Sequence, residues 1–250
     1  MRFLFGKTAL ILAALAVLCL AASPSFALVQ TFFGEDEGLG EETRLTSHPN
    51  SDNARSDFFS NLTGVETEDF EVFSDDTFAP ITTDFGAAGV ATLQGSGRVN
   101  TITSGTNGVG RYPISGDNYW ETGHTFSLSF GDPIAAFGFY GIDIGDFSGR
   151  VTVTTQNGET NTYGIPHTVD GQGGSVLYWG LIDTQETFTS VAFGNTAQGT
   201  DYFGFDDFSI GSIEQVTPSQ PVPEPATMVL LGAGLLGVAA FGRKKLLNKA

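Results

Sequence analysis

The stretch Thr125–Ile142, TFSLSFGDPIAAFGFYGI, most constrains the fold. Phe126, Leu128 and Phe130 alternate with Thr125, Ser127 and Ser129, so one face is apolar and the other wet. Ile134–Ile142 is then nearly all apolar, the pattern of a central strand covered on both sides. A chain holding these two strands in succession needs a second layer to bury them. Further short strands follow at SVLYWG (175–180), TFTSVAF (187–193) and YFGFDDFSI (202–210). Earlier ones are expected at FEVFS (70–74), VATLQ (90–94) and GRVNTIT (97–103). RVTVTTQNGETNTY (150–163) reads as a hairpin, with Asn157-Gly158 as a type I′ turn. Eight to ten short strands with Gly-rich connections predict an all-β fold, a jelly-roll-like β-sandwich. No repeat of propeller or solenoid length is visible.

The expected organisation is a signal peptide at 1–27, an acidic arm and short helix at 28–64, a sandwich at 65–213, a linker at 214–222 and a distinct tail at 223–250. Residues 28–49 carry the acidic run GEDEGLGEET and are expected to be irregular. In PNSDNARSDFFSNL, Ala54, Phe58 and Leu62 share one helical stripe, with Asn50, Ser51 or Asp52 as the cap and Gly64 as the stop.

The N-terminal stretch has Arg2 and Lys7, an apolar run and Ser25-Phe26-Ala27, a secretory signal with cleavage expected after Ala27. Cys19, the sole cysteine, lies inside it, so the exported part has neither a disulfide nor a Cys-based metal site. The net charge is −17, but residues 28–222 alone hold five arginines and no lysine against 27 acids, a formal charge of −22. That sign repels nucleic acid and anionic lipid heads, and suits solubility outside the cell or attraction of divalent cations.

Residues 226–242 form an uncharged run, at the short end of what spans a bilayer. Arg243, Lys244 and Lys245 follow and hold that end in the cytoplasm, so the body faces outward. Pro223-Glu224-Pro225, the apolar helix and the basic cluster together resemble the PEP-CTERM sorting signal of Gram-negative bacteria. The resemblance implies an exosortase as partner, cleavage near Pro223–Pro225, membrane residence only in transit, and association with exopolysaccharide or biofilm. A plain, uncut membrane anchor is the alternative. The strands from FGDPIAAFGFYGIDIGDFSG to DYFGFDDFSIG, with the lead-in PNSDNARSDFFSNLTGVETEDFE, also look like the lectin-like sandwiches found ahead of such tails.

Asp206-Asp207 interrupts the last strand: Phe203 and Phe205 share one parity, Phe208 and Ile210 the other. A β-bulge there would produce the flip. Glu71 and Asp207 are the candidate ligands of a structural Ca²⁺ between the first and last strands, against solvated acids as the plain reading. Asp143 and Asp146 lack EF-hand spacing and read as loop acids. For carbohydrate, Tyr112, Tyr119 and Trp120 in GRYPISGDNYWETG are the candidate stacking platform, or else they cap the core edge. Trp179 is expected in the core. His48, His124 and His167 are scattered, no G-x-S-x-G elbow occurs, and no acid pair is singled out, so an enzyme is not expected. The leading expectation is an exported surface or matrix protein. A carbohydrate-binding module is second, and a secreted glycan hydrolase third.

Overall fold

The computed structural model describes residues 29–123, 125–144, 148–166, 173–197 and 201–217. The signal peptide, Pro223-Glu224-Pro225, the apolar run 226–242, and Arg243, Lys244 and Lys245 lie outside them, as do His124, Asp146 and His167. Among the described residues no helix is long and apolar enough to cross a membrane.

The strands run, in chain order, β1 (Val29–Asp36), β2 (Thr67–Glu68), β3 (Ile81–Asp84), β4 (Val90–Gly95), β5 (Arg98–Thr101), β6 (Asn118–Thr122) and β7 (Phe126–Ile134). They continue with β8 (Ala136–Ile142), β9 (Arg150–Thr155), β10 (Thr160–Gly164), β11 (Val176–Asp183), β12 (Phe188–Gly194) and β13 (Phe203–Gly211). One helix, α1 (Pro49–Phe59), lies between β1 and β2. A seven-stranded sheet has the order β1-β11-β8-β13-β6-β5, with β2 also on β13. A six-stranded sheet has the order β10-β9-β12-β7-β4-β3. The architecture is the expected β-sandwich.

Its main core lies between the sheets and is dominated by phenylalanine, with Trp120 and Trp179 buried in it. A second cluster packs Ala54 and Phe58 of α1 on Tyr140, Tyr178 and Ile182, on the other face of the seven-stranded sheet. Two parts of the sequence reading change here. Residues 28–49 are not all irregular: β1 pairs antiparallel with β11, from Val29 opposite Asp183 to Asp36 opposite Val176. Adjacent Phe32 and Phe33 point to opposite faces, Phe33 to the main core and Phe32 to the helix cluster. The linker also starts later than 214, since Ile213–Gln215 form a 3-10 turn and Val216 bridges Leu62.

Helix α1 has no side-chain cap of its own. Asp36 at the end of β1 supplies one: Oδ1 accepts the Asn50 amide at 3.1 Å and Oδ2 the Ser51 amide at 2.9 Å. A carboxylate suits the positive end of a helix. FEVFS (70–74) is a turn, not a strand, with Phe70 at φ 59°. Side chains take its backbone groups instead of a ladder, Asn118 Nδ2 donating to the carbonyls of Phe70 and Phe73 at 3.0 Å each. The hairpin between β9 and β10 forms, but its turn is not type I′. Gly158 has φ 83° while Asn157 is not in the left-handed region, and the Gly158 amide donates to the Thr155 carbonyl at 2.9 Å. That is a type I turn closed by a bulge glycine.

The flip at Asp206-Asp207 is a β-bulge. Asp206 pairs with Tyr140 and Ser209 with Gly138, so β13 carries one residue more than β8. Asp207 takes the strain at φ 51°. The extra residue keeps Phe203, Phe205, Phe208 and Ile210 all in the main core.

Candidate functional site: a polar groove with two exposed aromatics

The groove begins from strand parity on β5 and β6. Val99 and Trp120 turn into the core. Their neighbours turn outward together, because Arg98 registers with Glu121 and Asn100 with Tyr119. This edge of the seven-stranded sheet therefore carries a row of hydrogen-bonding groups. The loop between β5 and β6 folds over it and delivers Asn107 and Arg111. The result is a groove of about 700 Å³, lined by Arg98, Asn100, Asn107, Arg111 and Glu121 and by Phe78, Gly97 and Tyr202 among others.

Glu121 organises the groove. Its Oε1 accepts Arg111 Nε at 3.0 Å, Asn107 Nδ2 at 2.9 Å and the Tyr119 hydroxyl at 3.2 Å. Its Oε2 accepts Asn100 Nδ2 at 3.2 Å and lies 3.5 Å from Arg98 Nη2. Arg111 Nη1 also reaches the Tyr202 carbonyl at 2.9 Å and Asp143 Oδ2 at 3.2 Å. Arg98 Nη1 meets Asp76 Oδ1 at 2.5 Å. Burial works against the Arg98 charge, but the hydrogen bonds and charges of Asp76 and Glu121 together outweigh it and raise the guanidinium above its ordinary value. Burial, then the Glu121 charge, pushes the Tyr119 phenol far up, so it stays a neutral donor.

Two aromatics on this groove face solvent: Phe78 is 62% exposed and Tyr202 42%. The Arg111 guanidinium lies 5.8 Å from the Tyr202 ring centroid and steadies it from the protein side. Phe78 bridges to Arg98 just before the Ala79-Pro80 bond. Gly97 is required on the floor: it has φ 136°, and a Cβ there would sit 2.6 Å from the Trp120 ring.

The expected platform of Tyr112, Tyr119 and Trp120 is corrected. These residues are 1%, 0% and 0% exposed, so none offers a ring face to a sugar. For Tyr119 and Trp120 the cause is that β6 is buried along its whole length. Tyr112 is a strut, its hydroxyl donating to the Gly174 carbonyl at 2.8 Å and accepting the Leu45 amide at 3.1 Å. Tyr119 supports the groove from below. Trp179 is in the core, 1% exposed.

The candidate calcium ligands lie elsewhere, on one turn at the end of the loop between β5 and β6. Glu71 Oε1 accepts the amides of Asp117 at 2.8 Å and Asn118 at 2.7 Å. Asp207 Oδ1 accepts the Ser115 hydroxyl at 2.6 Å, and its Oδ2 lies 3.7 Å from Arg55. Asp206 Oδ2 accepts the amides of Ile114 at 2.7 Å and Ser115 at 3.0 Å. The three acids clasp residues 114–118 through protein donors on Glu71 Oε1, Asp207 Oδ1 and Asp206 Oδ2. Among the described residues no group of three or more His, Cys, Asp or Glu gathers as a metal site.

Sequence reasoning missed Phe78, Tyr202, Arg98, Asn100, Asn107 and Glu121 as one site. A signal existed in GRVNT and NYWET, where Arg98 and Asn100 flank Val99, and Tyr119 and Glu121 flank Trp120, with opposite charges on that phase. Reading them as paired strands would have put Arg98 beside Glu121.

The PEP-CTERM protein-sorting motif matches residues 221–245. The chain thus carries the exosortase-dependent export signal that its tail resembles. No curated protein matches the sequence. Among solved structures, the chain is similar to the K2 cleaved adhesin domain of Lys-gingipain, at 16% identity and TM-score 0.35, over 58% of this chain and 97% of that one. It is similar to the CBM22-1 xylan-binding domain of Paenibacillus barcinonensis Xyn10C, at 14% identity and TM-score 0.31, over 60% and 100%. It is also similar to the C-terminal family 22 carbohydrate-binding module of Clostridium thermocellum Xyn10B, at 14% identity and TM-score 0.35, over 61% and 97%. These likenesses are too distant to carry a ligand across, and the function below rests on this chain's own groove.

Proposed function

We propose that this is an exported, exosortase-sorted β-sandwich protein that binds extracellular polysaccharide in the groove of Phe78, Tyr202 and Glu121. Release near Pro223–Pro225 would leave the body outside the cell, at the surface or in the matrix, where glycan is abundant. The observation that carries the reading is the pair of solvent-facing rings beside a fixed set of amide, guanidinium and carboxylate groups. Sugar rings offer an apolar C–H face and a rim of hydroxyls. An exposed aromatic meets the first and a pre-organised polar floor meets the second.

The test is retention of the full-length chain, in mild non-ionic detergent, on beads coated with a panel of polysaccharides. Phe78→Ala and Tyr202→Ala should each weaken retention about tenfold, or ~1.4 kcal/mol. Both side chains are exposed, so the fold should survive. Val72, 83% exposed and outside the groove, provides the control Val72→Ala. Equal retention of all three variants would remove the groove as the site. The sorting half is tested separately: mass spectrometry of the mature extracellular protein should find no peptide beyond about Pro225, and intact Ala250 termini would exclude cleavage.

A further inference from the structure

We infer that the groove selects neutral glycans and rejects polyuronates and sulfated chains. This deepens the glycan-binding reading and rests on it. Two of the body's five arginines, Arg98 and Arg111, line the groove, which at first sight suggests an anion site. The ion pairs point the other way. Arg98 is matched by Asp76 and Glu121, and Arg111 by Glu121 and Asp143. Three carboxylates thus face two guanidinium groups, and neither cation is left to be neutralised by a ligand.

A ligand carboxylate or sulfate would have to compete with Glu121 or Asp76 for the same donors. Displacing Glu121, whose side chain is 7% exposed, would leave a buried charge uncompensated beside the incoming one. The surroundings add to the cost, because residues 28–222 carry a formal charge of −22 that repels a polyanion on approach. A hydroxyl meets none of these penalties. A guanidinium has five N–H donors, more than its ion pairs use, and a neutral oxygen accepts the remainder without disturbing a carboxylate. Arg98, 41% exposed at its side chain, is the donor open to such a ligand.

The experiment compares beads coated with neutral galactomannan, xylan and hydroxyethylcellulose against beads coated with alginate, polygalacturonate and dextran sulfate. The full-length chain in non-ionic detergent is applied at about 0.01 M and about 1 M salt, which shortens the Debye length from ~30 Å to ~3 Å. The expected result is retention on at least one neutral glycan, changed less than about twofold by salt and weakened about tenfold in Phe78→Ala, with none on the acidic beads. Retention on an acidic glycan at low salt that Arg98→Gln abolishes would overturn the neutral preference and leave the groove as a glycan site. Retention on neither class at either salt, or retention that ignores Phe78→Ala, would overturn both readings.

Discussion

Arg111 is held by Glu121 through a buried ion pair, Nε to Oε1 at 3.0 Å, with side chains only 10% and 7% exposed. The pair fastens the loop between β5 and β6 to the sheet, so the groove wall and its floor are one unit. Removing one partner of a buried pair is costly because the other charge stays behind. Glu121→Ala should therefore destabilise the body by about 3 kcal/mol in a urea melt, the lower end of that range because Asp143 still faces Arg111. Glu121→Gln keeps an acceptor for Arg111 and should cost less. A Glu121→Ala midpoint within about 0.5 kcal/mol of the parent would mean that the loop is held by other contacts.

The bulge on β13 makes a prediction about pH. Burial, and then the charge of Asp207, pushes the Asp206 carboxyl well above the ordinary range. The amides of Ser115, Asp207 and Ile114 pull it the other way without undoing the rise. Burial raises Asp207 as well. For both, the folded-state pKa exceeds the unfolded value of about 3.9. Between the two values the native state holds more protons, so stability from this pair falls as pH rises through the folded values and is recovered on acidification. Melting curves from neutral pH down to about pH 5 should show a stabilising contribution in the parent that Asp206→Asn lacks. Parallel curves would sever the link between the bulge and pH.

The sandwich was legible because its central strands are written in Phe-rich runs whose period leaves few alternatives, and the bulge because one parity flips at Asp206-Asp207. Strand β1 was hidden by its neighbours, since GEDEGLGEET dominates the composition of residues 28–49 while Phe32 and Phe33 quietly serve two different cores. FEVFS has strand composition, but Asn118, distant in sequence, captures its carbonyls and makes it a turn. The site failed for a related reason. Aromatic residues in a polar, Gly-punctuated loop look exposed, yet Tyr119 and Trp120 lie on a covered strand. Phe78 and Tyr202 sit far apart in sequence and meet only once β5, β6 and β13 are paired.

The last prediction concerns calcium at Glu71 and Asp207. Both carboxylates are candidates from their place in the expected first and last strands and from the parity flip at Asp206-Asp207, in a body of charge −22. In the fold each is engaged by the chain: Glu71 by the amides of Asp117 and Asn118, and Asp207 by the Ser115 hydroxyl and the nearby Arg55. A cation bound only to the folded state would add RT ln(1 + [L]/Kd), roughly 2.7 kcal/mol at a hundredfold excess over Kd, and chelation would remove it. With protein donors already on Glu71 Oε1 and Asp207 Oδ1, EDTA should leave the melting temperature unmoved. Glu71→Gln should lower it, because the amides of Asp117 and Asn118 both sit on Oε1 and would exchange a charged acceptor for a weaker neutral one. A fall in melting temperature on chelation, restored by calcium but not by sodium at equal ionic strength, would mean that an ion, and not residues 114–118 alone, satisfies the clasp.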